Sequence, residues 1–122
     1  MKHALVTGGS GGIGAAICRR LARAGMHVLV HAGTNRAGAA EVVSGIQAEG
    51  GSAEALSFDV TDAQRTRDLL AEHAARTPIQ VVVSNAGLHD DAPMAGMSPA
   101  QWSRVIDVCL NGFFNTVQPL LL

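Results

Sequence analysis

The sequence predicts an α/β fold, a parallel sheet with flanking helices joined by right-handed crossovers. Three observations carry this expectation. Short apolar runs of strand length alternate with longer segments whose apolar residues recur at helical spacing, and the alternation persists through all 122 residues. A glycine-rich stretch, TGGSGGIG at 7–14, falls directly between the first apolar run and the first helical pattern. The chain is also 48% hydrophobic and 16% charged, which is enough for the core of one domain and too apolar for disorder.

The elements follow in order. Residues 2–7 form a short β run, and residues 13–24 place Ile13, Ile17 and Leu21 on one helix face. Gly25 then closes that helix, where a left-handed residue is wanted. Met26 to Ala32 (MHVLVHA) is the next strand, Ala37 to Glu49 the next helix, ended by Gly50 and Gly51, and Ala53 to Phe58 the third strand. Thr61 is the expected N-cap of a helix over residues 62–76, followed by a strand at Ile79 to Ser84 (IQVVVS). Ser98 and Pro99 have the cap-then-proline order that opens a helix, and Trp102, Val105, Ile106, Cys109, Phe113 and Val117 continue it on one face.

Composition narrows the function. The formal net charge is −1 with basic residues scattered, so the concentrated positive field that holds a nucleic-acid backbone is missing. The chain enters its first apolar run right after Met1, Lys2 and His3, and no apolar stretch reaches the roughly 18 residues of a membrane span. A cytoplasmic protein without membrane or nucleic-acid partners is the expectation. Cys18 and Cys109 fall in predicted helices without CxxC or Cys/His spacing, which suits reduced packing thiols rather than a disulfide or a metal site.

A loop between the first strand and first helix of such a sheet presents free backbone N–H groups and the positive end of the helix dipole, which together suit a pyrophosphate. Gly8 is expected to make the tight turn, Gly12 to let the backbone approach phosphates, and Gly14 to let the helix pack close to the strand. The spacing is TGxxxGxG rather than GxGxxG. With Asn85-Ala86-Gly87 after the fourth strand, the chain resembles the short-chain dehydrogenase/reductase family. Within it, VTGGSGGIG, the FDV at Phe58 to Val60, VVVSNAG and VIDVCLNGFFNTVQPLLL at Val105 to Leu122 are similar to the 3-oxoacyl-acyl-carrier-protein reductases and related ketoreductases.

The resemblance implies a Rossmann-type sheet in the order 3-2-1-4, with a fifth strand normally beyond the fourth. It also implies that Gly8, Ser10, Gly11, Gly12, Ile13 and Gly14 hold dinucleotide phosphates, that Asp59 and Val60 meet the adenine, and that Asn85, Ala86 and Gly87 line the ribose. The alternative reading of Asp59 is a polar residue closing a strand, and of Asn85 and Gly87 turn formers. NAD-selective relatives carry an acidic residue at the end of the second strand; here that position is Ala32, followed by Gly33, Thr34, Asn35 and Arg36. Asn35 and Arg36 offer donors and a fixed positive charge to a 2′-phosphate, which favours NADPH over NADH, although Arg36 also reads as a solvated residue of a first helical turn. The arginine that other relatives carry in the glycine loop falls at Gly11.

The family's catalytic serine, tyrosine and lysine are absent: the chain has no tyrosine, and its only lysine is Lys2. The family's helix asparagine aligns with Cys109, which retains the backbone carbonyl of the proton relay and lacks the amide. The apolar run Pro119 to Leu122 suggests the N-terminal half of a protein of about twice the length, one dinucleotide-binding unit without a second domain. By resemblance the whole protein is an NADPH-dependent reductase of 3-oxoacyl thioesters, free or carrier-bound, assembling as a dimer or tetramer through the helix from Trp102 to Val117. The alternative is a non-catalytic dinucleotide-binding module. His89, Asp90 and Asp91 follow the Asn-Ala-Gly turn on the pocket side or are simply solvated.

Overall fold

The computed structural model describes residues 1–87 and 92–121. Four strands, β1 (His3–Val6), β2 (His27–Ala32), β3 (Ser52–Ser57) and β4 (Val81–Val83), form a sheet in the order β3-β2-β1-β4. All three pairings are parallel, with Leu5 opposite both Leu29 and Val82. Helices α1 (Gly12–Arg23), α2 (Arg36–Ala48) and α3 (Ala63–Arg76) connect them. The predicted strand order and alternation are therefore those observed.

Side chains along a strand alternate between faces, so each central strand serves two cores. On one face Val6, Val28 and Val30 pack with Cys18, Ala39, Val42 and Ile46 from α1 and α2. On the other, Leu5 and Leu29 pack with Phe58, Val60, Leu70 and Ile79, under α3. Burial on both faces explains why Ala4 to Val6 in β1 and Val28 to Val30 in β2 are continuous apolar runs rather than alternating ones. Each fully buried leucine contributes roughly 1.5 to 3 kcal/mol relative to exposure.

The helix ends show which local signals were decisive. Gly25 and Gly50 have φ of +90° and +85°, the left-handed conformation expected after α1 and α2. The cap of α3 is Asp62 rather than Thr61: Asp62 accepts from the Arg65 N–H at 3.1 Å. Thr61 is otherwise engaged, since its N–H and its hydroxyl both donate to Asp59 Oδ1, at 2.9 and 2.7 Å. Ile13 departs from the buried face expected of it. It is 75% exposed, on the side of α1 that opens to a cleft.

The predicted long helix is interrupted. It opens at α4 (Pro99–Ile106) with a capping box between Ser98 and Gln101, passes through a π-helical turn at Asp107–Asn111, and resumes as α5 (Gly112–Val117). The wider turn takes more residues per turn and so shifts the helical phase between α4 and α5. Gly112 lies so close to the loop after β3 that a Cβ there would be 2.7 Å from Val60 Cγ2, and the Asn115 amide donates to the Val60 carbonyl at 2.9 Å. Among the described residues, helix α5 thus braces the segment that carries Asp59 and Val60.

A candidate nucleotide cleft at the ends of the strands

The strand order reverses between β1 and β4, and the loops leaving these two strands part there to open a crevice. Gly8 makes the turn after β1 with φ of +66°. Three groups fix the loop. The Gly8 N–H donates to His31 Nδ1 at 3.0 Å, the Gly9 N–H donates to the His31 carbonyl at 2.8 Å, and Asn85 Nδ2 donates to the Gly8 carbonyl at 3.2 Å. Thr7 joins the two loops: its hydroxyl oxygen accepts from the N–H groups of Asn85 and Ala86, each at 2.9 Å. Removing it would leave the Ala86 N–H without an acceptor, whereas the Asn85 N–H also donates to the Val83 carbonyl at 3.1 Å.

The glycines divide into those required by the fold and those that leave space. A Cβ on Gly14 would collide with the Gly8 carbonyl oxygen and approach Asn85 Nδ2 at 2.7 Å. The constraint on Gly14 is therefore the loop folded over it, not the strand expected from the sequence. At Gly12 a Cβ would meet nothing within 4 Å. Helix α1 begins there with no side-chain cap, and the amides of Gly12, Ile13 and Gly14 have no acceptor among the described residues. These are the free first-turn donors that suit an anion.

The cleft measures about 930 Å³. Gly8, Ser10, Gly11, Gly12, Ile13 and Gly14 form one wall, Asn35, Asp59 and Val60 a second, and Asn85, Ala86 and Gly87 a third. Arg36 is the candidate residue that does not line it. Its Nε donates to Ser57 Oγ at 3.2 Å, which lays the guanidinium across the end of β3 beside the rim. Asn35 lines the cleft, but its Oδ1 caps α2 by accepting from the Gly38 N–H at 3.0 Å. Cys109, in the π-helical turn, is half-buried with its Sγ 4.0 Å from the position of a Cβ on Gly87. His89, Asp90 and Asp91 lie outside the described residues.

Two titratable groups shape the walls. The Thr61 hydroxyl, then the Thr61 N–H, hold the Asp59 carboxyl below its ordinary pKa, so it is ionised at neutral pH. His31 was not singled out from the sequence, yet it is 2% exposed and lines the cleft. Its Nε2 donates to the Phe58 carbonyl at 2.7 Å while Nδ1 accepts from Gly8. A backbone N–H only donates and a carbonyl only accepts, so the imidazole is the neutral Nε2–H tautomer. Burial pushes its pKa down, against the Phe58 carbonyl and Asp59, which favour the charged form. The available signal was a histidine inside a strand otherwise buried and apolar.

The cleft therefore presents oriented amide donors at a helix start, apolar surface from Ile13, Val60, Ala86 and Val108, and one carboxylate. The described residues hold no cluster of three metal-ligating side chains, and none of their helices is long and apolar enough to cross a membrane.

A glycine loop entering a helix at the reversal point of a parallel sheet defines the class of nucleotide-binding α/β domains of Rossmann type. The short chain dehydrogenase family model matches residues 2–121, and the chain belongs to that family of short-chain dehydrogenases/reductases. It is 36% identical over 119 residues to a 3-oxoacyl-acyl-carrier-protein reductase of Aggregatibacter actinomycetemcomitans, covering 97% of this chain and 49% of that protein. To an acetoacetyl-CoA reductase of Rhizobium meliloti it is 42% identical over 122 residues, covering 98% and 48%. The crystal structure of a 3-oxoacyl-acyl-carrier-protein reductase from Agrobacterium tumefaciens with NADP bound superposes with a TM-score of 0.89 at 36% identity, over 98% of this chain and 46% of that one. The chain thus spans about half the length of the relatives it matches.

Proposed function

We propose that this chain forms the dinucleotide-binding part of an NADPH-dependent ketoreductase, the whole protein reducing a 3-oxoacyl thioester or related ketone to its 3-hydroxy product. The observation that carries this reading is the set of free amides at Gly12, Ile13 and Gly14, opening onto the unobstructed space beside Gly12. Similarity to reductases of 3-oxoacyl and acetoacetyl thioesters supports the substrate class.

In this reading the α1 amides hold the pyrophosphate, Asp59 and Val60 border the adenine, and Asn85 to Gly87 border the ribose leading to the nicotinamide. When bound, the cofactor supplies the hydride, and the protein orients it. Arg36, fixed by Ser57 at the rim, attracts a 2′-phosphate, and no acidic side chain at Ala32 repels one. The group that protonates the developing alkoxide belongs to the remainder of the whole protein, because the chain has no tyrosine and Lys2 lies at the opposite end of β1.

A homo-oligomer built through α4 and α5 accords with the exposure of Trp102, Leu110, Phe113 and Phe114, and a cytoplasmic setting accords with cysteines that are not joined in a disulfide. A second reading, a dinucleotide-binding module without catalysis, draws on Cys109 at the relay position, where the side-chain amide is lacking. Reduction of an acetoacetyl thioester by the full-length protein with NADPH separates the two. Turnover supports the enzyme, and cofactor binding without turnover supports the module.

A further inference from the structure

We propose that His31 is a positioning residue for the dinucleotide: its neutral imidazole holds the glycine loop in the form that presents the α1 amides to the phosphates, so tight binding requires this ring unprotonated. The inference rests on the dinucleotide reading of the cleft and goes beyond it by assigning a residue and a proton.

His31 holds two successive amides of the loop, Gly8 through its ring and Gly9 through its carbonyl. The same ring donates to the carbonyl of Phe58, the residue before Asp59 and Val60, and packs against the Phe58 ring at a centroid distance of 4.2 Å with a tilt of 44°. One side chain therefore joins the wall of free amides to the wall facing it. Rotating the ring by half a turn exchanges both nitrogens for carbons and loses both bonds.

Protonation has a defined consequence. It places a hydrogen on Nδ1 directly opposite the Gly8 N–H, and two donors facing each other force the loop away from its turn. The positive end of α1 borders the same cleft as His31 and also disfavours a cation. Among the described residues, Asp59, from the loop after β3, is the one charged group registered against the ring. It favours the cation, but its Oδ1 is committed to Thr61. A bound phosphate would also favour a cation, yet both ring nitrogens are turned to Gly8 and Phe58, and the phosphates are met by amides. Burial lowers the pKa below the ordinary 6.5, so the ring is neutral at physiological pH and the loss of binding falls on the acid side of that value.

The test is calorimetric titration of NADP⁺ and of NAD⁺ into the full-length protein between about pH 8 and pH 5, repeated with His31→Asn. The NAD⁺ arm excludes titration of the 2′-phosphate, which occurs near about pH 6. For the unaltered protein, affinity for both ligands should fall below the imidazole pKa by up to about tenfold per pH unit, as the competent fraction shrinks. The asparagine amide oxygen can accept from Gly8 but takes up no proton, so that slope should flatten to less than about twofold across the range. Nitrogen-15 spectra of the unaltered protein should show His31 protonated at Nε2 alone at neutral pH, and at both nitrogens where binding is lost. Equal slopes in the two proteins overturn the inference, as does loss of binding while His31 remains neutral. No binding by the unaltered protein at any pH overturns the dinucleotide reading and this inference with it.

Discussion

The loop end of the sheet and the segment from Pro99 to Val117 are both rich in apolar residues at regular spacing, yet they close on themselves to very different degrees. Around β1 and β2, Leu5, Val6, Leu29 and Val30 are fully buried, and the loops above them are tied by Thr7, His31 and Asn85. Along α4, the π-helical turn and α5, Trp102, Leu110, Phe113 and Phe114 stay between 51% and 59% exposed. The first region is complete within this chain, whereas the second presents a surface. An apolar pattern alone reports that a face is to be covered; contacts decide whether this chain covers it.

The largest expected effect is at the completed end. Gly14→Ala drives a Cβ into the Gly8 carbonyl, a backbone atom that cannot yield without opening the loop. We expect destabilisation on the order of 3 kcal/mol and loss of measurable dinucleotide binding, read by denaturant unfolding and calorimetry on the full-length protein. Unchanged stability would show that the loop is looser than its hydrogen bonds indicate.

A pair of substitutions contrasts the two regions directly. Leu29→Ala removes a fully buried side chain and should cost about 2 to 5 kcal/mol of stability. Phe113→Ser should shift stability of the dissociated chain by about 0.5 kcal/mol or less, since the ring is half in water, and should instead weaken self-association in sedimentation. If Phe113→Ser destabilises as much as Leu29→Ala while the oligomer persists, the helix face is core rather than interface.

The smallest effect is expected at Arg36, which lies outside the lining of the cleft and is tethered to Ser57. Arg36→Ala should weaken NADPH by about fivefold relative to NADH, the scale of one partly solvated charge contact. Equal weakening of both cofactors would place Arg36 in the fold or at the shared part of the ligand.

How much of this was legible in the sequence follows from the range of the determining contacts. The alternation of strands and helices, the glycine turns at Gly25 and Gly50, and the loop at 7–14 depend on local pattern and local stereochemistry and were readable, whereas the strand order came through the family resemblance. Three features were not readable. His31 acquires its character from Phe58, 27 residues away, and from a Gly8 amide that folding brings to it. The cap of α3 moved by one residue because the Thr61 hydroxyl found Asp59 first. The π-helical turn at Asp107–Asn111 leaves no mark on apolar spacing, since it changes the rotation between residues and not their order. Of the candidate cleft residues, the glycine loop was legible from its position between a strand and a helix, and the Asn-Ala-Gly turn through the family resemblance, since the contacts that hold it come from Thr7, 78 and 79 residues away.

The central claim is that the free amides beside Gly12 receive the phosphates of NADPH. Gly12→Ala tests it most directly, through calorimetric titration of NADPH into the full-length protein and this variant. The added methyl meets no protein atom within 4 Å, and alanine is the better helix former, so the unliganded fold should be unchanged or more stable by about 0.5 to 1 kcal/mol. The same methyl enters the space assigned to the ligand, so NADPH affinity should fall at least about tenfold. A stable variant that binds NADPH as tightly as the unaltered protein would contradict the placement of the phosphates, and absence of binding by both would contradict the function.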